Sequence, residues 1–84
     1  MDRQQIEQRV VKVVCYVLNV DPDLVEPESN FVFDLGAEST QSVALVAAFE
    51  QEFGIEMEQE AALAVDTVGA ATEFIEKACR EQGV

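Results

Sequence analysis

The chain has 84 residues, enough for one small domain (residues 1–84) and short of the length at which chains usually divide. Apolar residues make up 49% of it, too many for a disordered tail, and seventeen Asp and Glu against five Lys and Arg leave a formal charge of −12. That balance argues against nucleic acid and anionic membrane surfaces as partners, and the lack of histidine removes the commonest general base and zinc ligand.

From Asp2 to Leu18, the residues Ile6, Val10, Val13, Val14, Val17 and Leu18 recur at helical spacing and form one amphipathic stripe. Val13 to Leu18 is rich in strand formers, but the helix formers from Gln4 to Arg9 and the length of the segment favour a helix. Asn19 to Glu38 reads as a long connection, broken by Pro22, Pro27 and Gly36. Its apolar residues Leu24, Val25, Phe31, Val32, Phe33 and Leu35 predict a loop packed over the helices. Ser39 to Phe53 is the clearest helix, with Leu45, Val46, Phe49 and Phe53 on one side and Gly54 just past its end. A short helical piece is expected at Gln59 to Leu63. A last helix starts at Asp66 or Thr67 and buries Val68, Ala71, Phe74, Ile75 and Ala78. On its wet side Glu73 and Lys77, and Glu76 and Arg80, stand at ion-pair spacing. The expected fold is all-α: a small bundle of three main helices plus one short helix, with a long loop between the first two helices.

Several functional classes fail on spacing. Asp21-Pro22-Asp23 opens like a calcium loop, but Val25, Glu26 and Val32 stand where a ligand, a glycine and a bidentate glutamate are needed. A solvated acidic loop accounts for the pattern, and no metal site is expected. No pair of carboxylates is singled out for acid/base work, so the isolated chain is not expected to be an enzyme. Cys15 and Cys79 are far apart with no CxxC spacing; a single bridge stays open, but reduced thiols in a soluble, cytoplasmic monomer are the expectation. Met1 to Arg9 is too polar for a signal peptide, and no apolar run is long enough for membrane insertion.

Phe33 to Ser39 stands apart. A glycine-containing turn delivers Ser39 to the first turn of the best helix. Taken alone, Ser39 would be an N-cap satisfying a backbone N–H. The stretch Asp34-Leu35-Gly36-Ala37-Glu38-Ser39-Thr40 resembles the phosphopantetheine attachment motif of acyl carrier proteins, D-L-G-x-D-S-L. The resemblance continues from Ser42 to Ile55 and resumes at Asp66-Thr67-Val68 and Glu73-Phe74-Ile75. It implies a 4′-phosphopantetheine arm esterified to Ser39, within the motif context of Asp34, Leu35, Gly36 and Glu38, holding an acyl group as a thioester. A helix N-terminus suits a phosphodiester, and Gly36 lets the turn present the serine. The partners implied are a phosphopantetheinyl transferase and acyl-transfer and chain-modifying enzymes.

Glu38 stands for the usual Asp and Thr40 for the usual Leu, which fits a specialised fatty-acid, lipid or polyketide pathway. An unmodified helical interaction module of the same fold, and an aminoacyl or peptidyl carrier, remain as alternatives. The resemblance further implies an apolar acyl pocket, with Phe31, Leu45, Val46, Phe49, Leu63, Val65, Ala71 and Ile75 as candidate lining. Opposite the buried stripe of the Ser39–Phe53 helix lie Thr40, Val43, Ala44, Ala47 and Gln51, with Glu50 and Glu52 at the borders. With Glu50 they form the candidate partner face, which Ala61, Ala62 and Ala64 would extend. It carries little charge, so close apolar contact is expected to matter there more than steering.

Overall fold

Helix α1 (Arg3–Leu18) starts where the Asp2 carboxylate accepts from the Gln5 N–H at 2.9 Å while Gln5 Oε1 accepts from the Asp2 N–H at 3.1 Å. This reciprocal cap outweighs the strand preference of Val13 to Leu18, and the helix runs to Asn19 in the left-handed conformation. The computed structural model, which describes residues 2–84, continues with α2 (Ser39–Phe53), α3 (Gln59–Leu63) and α4 (Val68–Gln82). One 3-10 turn, Pro22–Leu24, interrupts the long first connection. The all-α expectation holds, with three long helices and one short one.

Helix α1 packs against both α2 and α4, and α3 packs against α2. Its Ile6, Val10 and Val14 meet Leu45, Phe49 and Phe53 of α2 and Val68, Ala71 and Ile75 of α4 in one apolar core. Arg9 fastens the first pair. Its Nε donates to Glu52 Oε2 at 2.8 Å, its guanidinium also reaches the Glu52 carbonyl, and it lies 4.7 Å from the centre of the Phe53 ring. Thr72 is fully buried, yet its hydroxyl donates to the Val68 carbonyl at 3.0 Å and leaves no polar group stranded. Both cysteines are free thiols, and burial pushes each thiol up from its ordinary pKa.

The first connection is tied to the start of α4. The Phe31 N–H donates to the Asp66 carbonyl at 2.9 Å, the Val68 N–H to Ser29 at 3.1 Å and the Gly69 N–H to Pro27 at 2.7 Å. A β-carbon on Gly69 would lie 3.0 Å from the Pro27 oxygen, a tight contact that glycine avoids. The loop is less buried than its composition predicts. Phe31 is inside, but Leu24, Val32 and Phe33 face solvent, Phe33 with 88% of its surface exposed. The backbone pairing with α4 holds the loop down, and those side chains are not needed for it. In α1 Val17, and in α4 Phe74, are half-buried and not core. Neither helical ion pair of α4 forms among the described residues; Glu76 pairs instead with Arg3 of α1 at 3.5 Å.

Candidate functional site: the N-terminus of α2 and the cavity beside it

The turn before α2 is built from local backbone hydrogen bonds. Asn30 Oδ1 accepts from the Val32 and Phe33 N–H groups, both at 2.9 Å, and Asp34 Oδ2 accepts from the Asn30 N–H at 2.7 Å. Asp34 therefore shapes the turn. Gly36 has φ +72°, a conformation that costs other residues, and Leu35 packs against the core beneath it. The chain then closes with the Ala37 N–H donating to the Phe31 carbonyl at 2.8 Å, which buries Ala37. Ala37 is a site residue that the motif left unassigned. Its small side chain is what lets the turn sit on the core.

Ser39 is not the N-cap. Glu38 occupies that position, and Gln41 Oε1 accepts from the Glu38 N–H at 3.0 Å. Ser39 is the first residue of α2 itself, exposed, and its hydroxyl makes no hydrogen bond among the described residues. A serine released from capping duty is free to be modified. The N–H groups of Ser39 and Thr40 belong to the first helical turn and have no acceptor within the helix, which favours an anionic group at this end. The residues present thus fit a phosphate ester on Ser39. Glu38 is also exposed and places its own negative charge beside that end.

Beginning one turn further along α2, a cavity of about 110 Å³ opens between α2, the first connection, α3 and α4. Seven of the eight expected lining residues are there: Phe31, Leu45, Val46, Phe49, Leu63, Val65 and Ala71. Ile75 is not. It is completely buried in the core between α1 and α4, one residue past the side chain that does reach the cavity, Phe74. Val32, Ser42, Met57, Ala62, Asp66 and Phe74 complete the wall. Ser42 is half-buried and reaches the cavity from one turn past Ser39. Met57 lies on an extended segment with no periodicity to betray it.

Of the candidate partner face, Thr40, Val43, Ala44, Ala47 and Gln51 are all exposed. Glu50 is a correction. It is half-buried, and its Oε2 accepts from the Met57 N–H at 3.0 Å, so it clamps the segment after α2 and does not face a partner. Ala62, expected to extend this surface, is buried in the cavity wall.

The fold is a helical bundle with an exposed serine at the head of its second long helix and an apolar cavity beside that helix. Residues 8–75 match the family model described as the phosphopantetheine attachment site. The chain belongs to that family, whose members carry a covalently attached 4′-phosphopantetheine.

Proposed function

We propose that the chain is an acyl carrier protein that holds acyl intermediates as thioesters on a 4′-phosphopantetheine arm attached to Ser39. The observation that carries this reading is the unbonded, exposed hydroxyl of Ser39 on the helix whose next turns, at Ser42, Leu45 and Val46, wall an apolar cavity. Bound there, the group supplies a thiol at the end of a flexible arm. The chain's own residues do the rest. The turn from Asn30 to Ala37 holds Ser39 outward, and the first turn of α2 offers N–H groups to the phosphodiester. No histidine exists to activate Ser39, which fits an acceptor modified in trans by a transferase.

The cavity favours an acyl cargo over an aminoacyl one, since its wall is mostly Phe, Leu, Val and Ala. The exposed Thr40 and Glu38 beside Ser39 support a specialised fatty-acid, lipid or polyketide pathway. Incubation with coenzyme A and a broad-specificity phosphopantetheinyl transferase, read by intact mass, tests the assignment. Wild type should gain one arm and Ser39→Ala none. Labelling that survives the substitution would overturn the role of Ser39, and an unlabelled wild type would favour an unmodified interaction module.

A further inference from the structure

The cavity beside α2 is not the only hollow on α4. A second, more open cleft of about 320 Å³ lies further along the same helix, lined by Lys77, Ala78, Glu81 and Gln82 together with Glu56 and Glu58. One residue lines both: Phe74. The extended segment after α2 alternates between the two, with Met57 in the wall of the cavity and Glu56 and Glu58 in the wall of the cleft.

The backbone part of that partition is fixed. The Met57 N–H donates to Glu50 Oε2 at 3.0 Å, the Glu56 N–H to Gln82 Oε1 at 2.8 Å, and Gln82 Nε2 to the Glu56 carbonyl at 2.7 Å. The Phe74 ring has no such tie. It is half-buried at the junction, where side-chain rotation needs no hydrogen bond to break. We propose that Phe74 is the partition that sets how long a chain the cavity accepts. The inference rests on the acyl-carrier reading above and identifies a specificity-determining residue within it.

The sizes make the point. The cavity, at about 110 Å³, is only about a third the size of the 320 Å³ cleft beyond the ring. A short acyl segment fills it, and the next methylenes meet the face of Phe74. Beyond the ring, Ala78 and the methylene stems of Lys77 and Gln82 offer apolar surface on which a longer chain can lie. Removing the ring joins the two hollows into one several-fold larger.

The test uses two arms on the full chain. In the first, wild type, Phe74→Leu and Phe74→Ala are loaded at Ser39 from acyl-coenzyme A with chains of about 4 to about 12 carbons, and the rise in melting temperature over the unacylated holo form is followed with chain length. In the second, the unmodified proteins are titrated with n-alkanols over the same range, so the readout does not depend on Ser39. Alkanol affinity should climb about fourfold per methylene while the chain is being buried, and then level off. The levelling length should be short in wild type, longer in Phe74→Leu and longest in Phe74→Ala, in both arms. The same levelling length in all three proteins overturns the proposal. A failure to acylate, with the alkanol series still shifted by Phe74→Ala, removes Ser39 as the attachment point and leaves the partition standing.

Discussion

Gly69 is held where its N–H meets the Pro27 carbonyl at 2.7 Å and where a β-carbon would lie 3.0 Å from the same oxygen. Two effects oppose each other in Gly69→Ala. Alanine gains up to about 1 kcal/mol of helix propensity over glycine, less in a first turn, whereas overpacking against a fixed backbone atom costs about 1–3 kcal/mol. The hydrogen bond keeps the oxygen from moving away, so the clash wins. Gly69→Ala should lower the melting temperature, by about 4–8 °C for a net loss near 1 kcal/mol. A thermal scan showing an unchanged or higher value would mean that the loop yields. Other residues carry roles that residue type alone does not announce: Glu38 caps where a serine was the obvious candidate, and Asp34 shapes a turn where the motif offers only an acidic letter.

Among the elements, α2 divides its two sides between separate tasks. Leu45, Phe49 and Phe53 are buried in the core, Val46 is buried at the cavity, and Thr40, Val43, Ala44, Ala47 and Gln51 are left outside. The acidic residues at the borders are already engaged, Glu50 with the Met57 N–H and Glu52 with Arg9. Neither is a free charge for meeting an enzyme. Docking of the transferase should therefore depend on close contact along this small-residue face. We expect Ala47→Glu to raise the transferase KM about tenfold, roughly 1.4 kcal/mol of lost binding, with only a shallow dependence on salt. Glu52→Gln should leave KM near the wild-type value and act on stability, by about 0.5–1 kcal/mol for a partly exposed pair with Arg9. The reverse ranking of KM, with a steep salt dependence, would show that the acidic residues steer docking after all.

Over the whole molecule the charge is unevenly spread. All five Lys and Arg lie in α1 and α4, and none occurs between Val13 and Glu76, where most of the carboxylates are found. Among the described residues the two ion pairs, Arg9 with Glu52 and Arg3 with Glu76, both fasten α1 to a neighbour and leave the net charge of −12 untouched. Self-repulsion of this size destabilises a small bundle, and counter-ions screen it within a Debye length of about 8 Å at physiological ionic strength. Screening also weakens the two ion pairs, but each partly exposed pair contributes only about 0–1 kcal/mol. The melting temperature should accordingly rise on going from low salt to about 0.15 M, or on adding millimolar magnesium. A flat or falling response would show that repulsion is minor beside the Arg9 and Arg3 pairs.

The helices were legible in the chain because they depend on residues close together, and the head of the site was legible through its resemblance to the attachment motif. The apolar stripe from Ile6 to Leu18, Thr67 as a cap and Gly54 past Phe53 are local signals, and the boundaries drawn from them agree with the structure within a residue. The wheel of α2 likewise separated the buried stripe from the exposed face, Glu50 excepted. Tertiary structure alone decided whatever needs two distant segments at once. That Phe74 reaches the cavity while Ile75 fills the core depends on how α4 is rotated against α1. Glu50 leaves the partner face because Met57 arrives beside it, Gln82 pairs with Glu56, and a side chain on Gly69 would press on Pro27 because that residue folds back onto it. Helical periodicity records which way a side chain points from its own axis, and it carries no information about which backbone atom from another segment will be waiting there.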